Sequence, residues 1–117
     1  MLIEFSVTNF RSIQKTQTLS MSASTASELR ENNCFTTHEH GMPCLLRSAA
    51  IYGPNASGKS NLINAIAFME KFIFTSSKES QEGEPIKVKP FLFNNVSRSQ
   101  PSEFEVIFIQ EGIRYQY

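Results

Sequence analysis

Residues 53–60 read GPNASGKS, a complete G-x-x-x-x-G-K-[ST] phosphate loop. Gly53 and Gly58 let the backbone curl so that successive N–H groups point inward and form a nest for an anion. Lys59 adds a positive charge for the β and γ phosphates, and Ser60 offers a hydroxyl to Mg²⁺. The stretch therefore predicts that the chain binds a nucleotide together with a metal ion.

The residues on both sides of the loop predict a strand before it and a helix after it. Residues 45–52 form a short apolar run, and residues 61–74 place apolar side chains around most of a helical circumference. Because the helix begins at the loop, its unpaired N–H groups and positive dipole end would also face the phosphates. We expect this helix to be buried between layers.

The amino-terminal part of the sequence predicts a ribbon of two strands. In residues 2–8 apolar and polar side chains alternate, as they do in a half-buried strand, and residues 17–23 alternate in the same way. We expect the two runs to pair antiparallel, giving a strand pair over residues 2–23. Residues 24–43 are mostly polar and read as a connection with a short helix near 27–32.

The carboxy-terminal part predicts further antiparallel strands over residues 86–117. Residues 86–93 read as a strand that Pro90 places at an edge or a bulge, and residues 104–109 and 113–117 read as a hairpin. The predicted fold class is α/β, a P-loop NTPase core with an attached antiparallel β-sheet. All 117 residues are assigned to the amino-terminal part of one nucleotide-binding domain.

Composition excludes several classes of protein. The chain is 40% apolar with ten phenylalanines, enough for a core, and its eleven basic and eleven acidic residues cancel. No global affinity for nucleic acid follows from such a balance. The sequence has no apolar stretch of membrane-spanning length and no signal peptide. We expect a cytoplasmic protein that has no membrane partner.

A cluster of cysteine and histidine residues precedes the loop in a C-x3-H-x-H-x3-C pattern, formed by Cys34, His38, His40 and Cys44. Two thiolates and two imidazoles suit Zn²⁺, so these residues are a candidate zinc site. The spacing matches none of the usual zinc pairings, and a polar connecting loop is the alternative.

Nothing in the sequence supplies the acidic residue that nucleotide hydrolysis requires at the end of an apolar strand. Glu103 and Glu105 alternate with apolar residues inside a strand, where we expect them to be solvated, and Glu111 precedes Gly112 as in a turn. We therefore assign no catalytic residue. Residues 113–117 end without a closing turn, so we expect the chain to be the incomplete amino-terminal piece of a longer protein.

At this point the motifs resemble a known family. A first strand ending in Asn9-Phe10-Arg11-Ser12, a later GPNASGKSN run and antiparallel strands after the helix resemble the head of an SMC/RecF-type ABC ATPase. Within that superfamily the chain is most similar to bacterial AAA-type ATPases of abortive infection and other phage defence, which share the IYGPNASGKSN run found at residues 51–61. The more widespread ABC form has glycine where this chain has Ala56.

The resemblance implies ATP and Mg²⁺ as cofactors. It implies that Arg11 and Ser12 approach the nucleotide from the first strand turn, and that a run of consecutive residues lines the phosphates: Asn55, Ala56, Ser57, Gly58, Lys59, Ser60 and Asn61. The family's Q-loop glutamine, signature motif, acidic magnesium-binding strand and switch histidine lie further along and are absent from these residues.

Heads of this kind dimerise around two ATP molecules, and hydrolysis releases the pair. The resemblance implies a second head as partner in a homodimer, with DNA, RNA or an effector nuclease as the target of the motion. It implies an ATP hydrolase as the full-length protein and an inactive 117-residue piece. The alternatives are a P-loop kinase or GTPase, and a self-contained interaction or regulatory module with a relic phosphate loop.

Overall fold

The structure is a computed structural model and describes residues 1–37, 44–76 and 86–117. Its elements in chain order are β1 Leu2–Thr8, β2 Gln17–Ser20, α1 Arg30–Asn33, β3 Cys34–Thr36, β4 Cys44–Leu46, α2 Lys59–Ser76, α3 Asn95–Ser99, β5 Glu103–Gln110 and β6 Ile113–Gln116. One sheet has four strands in the order β2-β1-β5-β6, and β3 and β4 form a second, two-stranded sheet. The arrangement is mixed α/β.

The chain divides into two compact units. The first unit consists of Met1–Ser6, Thr18–Ile51 and Glu105–Tyr117, and the second unit consists of Val7–Gln17 and Tyr52–Phe104. The phosphate loop and the turn at residues 11–12 therefore belong to the same unit. The cysteine residues belong to the other one.

The first unit has a small aliphatic core. Its buried cluster joins Ile3 of β1, Leu45 of β4, and Ile107 and Ile109 of β5. The alternating burial along β1 is the pattern that the sequence predicts for residues 2–8. The predicted second strand ends early, at Ser20 rather than at residue 23. After that point Met21 bonds through its N–H to Ile3 and through its carbonyl to Leu46.

The predicted carboxy-terminal hairpin is β5 and β6. The two strands are antiparallel, and Gln110 lies opposite Ile113, so that Glu111 and Gly112 alone form the connection. Both turn residues have left-handed backbones, with φ of 53° and 75°. Two consecutive residues of this conformation match the right-handed twist of the strands, which explains why a Glu-Gly pair closes the hairpin.

The second unit is built around an aromatic cluster formed by Phe10, Phe68, Phe72 and Phe104. Phe68 of α2 lies 5.7 Å from the Phe10 ring and 5.1 Å from the Phe104 ring, centroid to centroid. Phe72 stacks on Phe68 at 6.4 Å, one helical turn further on. These contacts fix one face of the helix that begins at the phosphate loop.

Helix α2 is longer than predicted and far less buried. It spans Lys59–Ser76 instead of residues 61–74, and its buried residues are Ala65 and Met69. Ile63 and Phe74 are 56% and 68% exposed. The expectation of a helix buried between layers is wrong for this structure. The aromatic cluster covers one face of α2, and no other described residues cover a second face.

Residues 86–93 do not form the predicted strand. The backbone groups there bond elsewhere, since Lys89 O accepts from Arg11 N and Phe91 N donates to the side chain of Asn9. A short helix, α3, follows that the sequence reading missed. Its start is capped by Asn94, whose side chain accepts from Val96 N at 2.9 Å.

The strand predicted before the phosphate loop is also much shorter than residues 45–52. Only Cys44–Leu46 is extended and paired, and residues 47–54 adopt neither helix nor strand. Within the ranges that the structure describes, the N–H groups of residues 48–53 have no backbone partner. Ile51 and Tyr52 are 38% and 90% exposed. A strand needs a neighbour to bond its backbone, and none lies beside this segment among those ranges.

Candidate nucleotide-binding site

The phosphate loop has the backbone of an anion-binding nest. Ala56 and Gly58 both have left-handed conformations, with φ of 63° and 95°. Alternation of this kind turns successive N–H groups toward one side. For Ala56 the conformation costs about 1–2 kcal/mol, because its Cβ crowds the following carbonyl. Strain of this size at a non-glycine residue is typical of functional sites.

Lys59 closes the loop through its own side chain. Its Nζ donates to the carbonyl oxygens of Gly53 at 2.7 Å and Pro54 at 2.6 Å, and lies 3.5 Å from Ser57 Oγ. An ammonium group has three hydrogens, and the bond to Ser57 Oγ is the longest of its three contacts, so a ligand would replace that one first. The Lys59 side chain therefore holds the loop in a curved shape and keeps its positive charge at the loop.

The start of α2 presents unpaired donors beside the nest. The N–H groups of Gly58, Lys59 and Ser60 form no hydrogen bond with any described residue. The first turn of the helix contains no acidic residue, so no negative charge of the helix itself competes at the positive dipole end. This arrangement suits a polyphosphate.

Ser60 has the properties of the predicted metal contact. It is exposed, and its hydroxyl has no partner within residues 1–37, 44–76 and 86–117. A free hydroxyl next to the phosphate nest fits Mg²⁺, because this ion binds oxygen ligands from the protein and from the phosphates at the same time. Asn55 is likewise exposed in the loop.

The turn at residues 11–12 lies partly against the loop. Phe10 and Ile13 exchange two backbone hydrogen bonds of 2.8 Å, so Arg11 and Ser12 form an exposed two-residue tip. Ser12 Oγ accepts a hydrogen bond of 2.7 Å from Asn61 Nδ2 at the start of α2. The Arg11 guanidinium instead lies over the Phe10 ring, 5.3 Å from its centroid. The structure thus brings Ser12 to the loop and leaves Arg11 on a neighbouring aromatic side chain.

Asn9 supports this turn, and the sequence reading did not identify its role. It is 3% exposed and has a left-handed backbone, with φ of 53°. Its Nδ2 lies 2.8 Å from the carbonyls of both Ser97 and Gln100, and its Oδ1 accepts from Phe91 N at 3.0 Å. An asparagine directly after a strand is a signal for such a left-handed backbone, but not for hydrogen bonds to segments more than 80 residues away.

The candidate zinc residues are described only in part. Cys34 and Cys44 lie on the paired strands β3 and β4, where Thr36 is opposite Cys44. The pKa of Cys34 is raised mainly by desolvation and, to a smaller extent, by a hydrogen bond with the Cys44 thiol. His38 and His40 lie outside the described residues, and no group of three or more metal-binding side chains occurs within them. The zinc site therefore stays a prediction.

An open cleft of about 800 Å³ occurs in the first unit. Its lining residues are Met1, Arg30, Glu31, Cys34, Phe35, Thr36, Cys44 and Arg47. Arg47 stacks on Phe35 at 4.5 Å and bonds through Nε to the Cys34 carbonyl. None of these residues belongs to the phosphate loop, so we do not place the nucleotide there.

Comparison with known proteins gives one match. Residues 48–117 match the family described as "AAA domain, putative AbiEii toxin, Type IV TA system". No curated protein and no solved structure matches the chain. No helix within the three described ranges is long and apolar enough to span a membrane. The family match begins just before the phosphate loop and covers more than half of the 117 residues, so the chain belongs to this AAA-domain family of nucleotide-binding, ATPase-like proteins.

Proposed function

We propose that the chain binds ATP with Mg²⁺ through its phosphate loop, as the nucleotide-binding segment of an SMC/RecF-type ABC ATPase head. The observation that carries the proposal is the closed loop itself. Lys59 holds the carbonyls of Gly53 and Pro54 while its charge stays at the mouth of the nest. The N–H groups of Gly58, Lys59 and Ser60, which have no partner among the described residues, can donate to phosphate oxygens beside this charge.

Each residue of the site has a defined part in this proposal. The amides of residues 55–60 surround the phosphates, Lys59 neutralises the β and γ oxygens, and Ser60 supplies a hydroxyl to Mg²⁺. Arg11 adds a second cation once its guanidinium leaves the Phe10 ring, because a guanidinium binds phosphate oxygens in pairs.

For the whole protein we propose ATP-dependent pairing of two heads in the cytoplasm, with hydrolysis releasing the pair. The likeness of residues 9–12 and 51–61 to SMC/RecF-type heads supports this part. The matched family's description names an AbiEii toxin and a type IV toxin–antitoxin system, which supports a role in phage defence. The motion would act on DNA, RNA or an attached effector nuclease.

The test is the affinity for Mg-ATP, measured by calorimetry on the wild-type chain and on Lys59→Ala. The variant loses a charge-assisted contact of about 1.5–3 kcal/mol, so we expect about ten- to a hundredfold weaker binding. Lys71→Ala is the matched control, since Lys71 is an exposed lysine of the same helix. Equal affinity of wild type and Lys59→Ala would reject the phosphate loop as the binding site.

The same titration, repeated over a range of Mg²⁺ concentrations, examines the metal contact. Ser60→Ala should flatten the dependence of ATP affinity on Mg²⁺, because the ion loses one oxygen ligand. If Mg²⁺ strengthens ATP binding equally in the wild type and in Ser60→Ala, Ser60 does not bind the ion.

A further inference from the structure

Two side chains that are 49 residues apart in sequence meet beside the phosphate loop. The amide nitrogen of Asn61 donates a hydrogen bond of 2.7 Å to the hydroxyl of Ser12. Both residues belong to the second unit. The contact joins the tip of the turn at residues 11–12 to the third residue of α2.

Both partners are held in place by other contacts. Asn61 N bonds to Gly58 O at 2.9 Å, which fixes Asn61 relative to the loop. Asn61 Oδ1 lies 3.5 Å from Asn64 Nδ2, so the amide oxygen faces along the helix and the nitrogen faces Ser12. On the other side, the bond from Arg11 N to Lys89 O at 2.8 Å anchors the turn.

The Ser12 hydroxyl also lies against the loop backbone. A Cβ built on Gly58 would be 3.3 Å from Ser12 Oγ, so a side chain at this position would crowd the hydroxyl. The N–H of Gly58, like those of Lys59 and Ser60, has no partner among the described residues. The hydroxyl is therefore next to the nest.

The direction of the hydrogen bond decides what Ser12 can do. An amide nitrogen only donates, so Ser12 Oγ accepts from Asn61 and keeps its own hydrogen. That O–H is available to donate to an anion. Asn61, by contrast, already uses one of its amide hydrogens on Ser12.

We propose that Ser12 donates its hydroxyl hydrogen to a phosphate oxygen of the nucleotide and that Asn61 is a positioning residue that acts through Ser12. Asn61 holds the hydroxyl and the turn against the loop and does not itself touch the phosphates. This inference rests on the proposed function, since it concerns the same site. It differs from the expectation that Asn61 lines the phosphates.

The test is a double-mutant cycle on the affinity for Mg-ATP, with Ser12→Ala, Asn61→Ala and the double variant. Each single change should weaken binding about three- to tenfold, the range for one hydrogen bond. If Asn61 acts through Ser12, the double variant should bind within about twofold of the weaker single variant. Ser12→Thr keeps a hydroxyl and should restore most of the affinity. Asn32→Ala, an exposed Asn-to-Ala change in the other unit, should bind as the wild type does.

Three outcomes overturn the inference. If Asn61→Ala weakens binding as much in the Ser12→Ala background as in the wild type, Asn61 acts independently of Ser12. If Ser12→Ala binds Mg-ATP as the wild type does, the hydroxyl does not contact the nucleotide. If Ser12→Thr restores no affinity, and all variants melt at a lower temperature without nucleotide, the pair of Ser12 and Asn61 is purely structural. Lys59→Ala separates this failure from that of the proposed function. Weakened binding by Lys59→Ala together with an additive cycle rejects only the role of Asn61, whereas unchanged binding by Lys59→Ala rejects the site.

Discussion

At the scale of single residues, Asn9 connects separate segments of the second unit through one buried amide. Its nitrogen reaches the carbonyls of Ser97 and Gln100, and its oxygen accepts from Phe91 N. Its backbone carbonyl accepts from the Ser102 hydroxyl. Because the turn at residues 11–12 follows directly, the position of Arg11 and Ser12 depends on this side chain.

We predict that Asn9→Ala lowers the free energy of unfolding by about 2–4 kcal/mol, through unpaired buried groups and a left-handed backbone that alanine disfavours. Asn9→Asp should cost more, since an oxygen would face the carbonyls of Ser97 and Gln100. Asn9→Gly is compatible with the left-handed backbone, so its loss of unfolding free energy measures the side-chain hydrogen bonds alone. Urea unfolding measures all three, with the exposed Asn32→Ala as a control expected within about 0.5 kcal/mol. An Asn9→Gly protein as stable as the wild type would show that the amide contributes nothing.

The phosphate loop was predictable at this scale because the residue types themselves specify its local backbone. Gly58 takes the left-handed conformation for which glycine is suited, and Lys59 reaches back to the first two residues of the loop without any distant partner. The contact between Ser12 and Asn61 was beyond the sequence, because it depends on how two distant segments pack. The resemblance only implied that Ser12 approaches the nucleotide, and it gave no indication of a hydrogen bond with Asn61.

At the scale of elements, α2 shows that a helix rich in apolar residues need not be buried on all sides. Its apolar residues surround the helix, yet the aromatic cluster covers only the face that bears Phe68 and Phe72. Residues 86–93 show a second limit, since their apolar pattern suits a strand while Asn9 and the residue 11–12 turn take up two of their backbone groups. Neither outcome can be read from the spacing of apolar residues along the sequence. Strands β1 and β5 were predictable because their alternate side chains enter the aliphatic core, and β6 because Tyr115 stacks on the Phe108 ring.

The unequal faces of α2 give a prediction. Phe68→Ala should lower the free energy of unfolding by about 3 kcal/mol, because Phe68 contacts the rings of Phe10, Phe72 and Phe104. Phe74 is 68% exposed, so Phe74→Ala on the same helix should change it by less than about 0.5 kcal/mol. Thermal or urea unfolding of the two variants provides the comparison. Equal losses would mean that the cluster is not the core of this unit.

At the scale of the whole molecule, the four-stranded sheet ends in β2 on one side and in β6 on the other. All four residues of β6 are exposed. An exposed edge strand offers unpaired backbone groups to another chain. The strands themselves could be predicted from alternation, but their order could not, because alternation says which face is buried and not which strand lies alongside.

We predict that the chain self-associates through β6 as its concentration rises. Ile113 is 57% exposed on that strand, and Ile113→Lys should reduce the association, since a charged edge residue opposes strand pairing. Light scattering over a dilution series measures the effect. Thr25→Lys adds the same charge at an exposed position outside the strands and serves as the control. A chain that stays monomeric at every concentration, or one that both lysine variants affect alike, would contradict a role for β6.

The two-residue connection at Glu111 and Gly112 sets which side chains of the hairpin face each other. Phe108 lies opposite Tyr115, and their rings stack at 5.3 Å. Because side chains alternate between the faces of a strand, one residue inserted into β6 between Ile113 and Tyr115, with Gln110 still opposite Ile113, would carry Tyr115 to the opposite face and separate the two rings. One residue inserted in the connection would lengthen the turn and leave this pairing intact. Extra residues should therefore be tolerated between Gln110 and Ile113 but not inside β6.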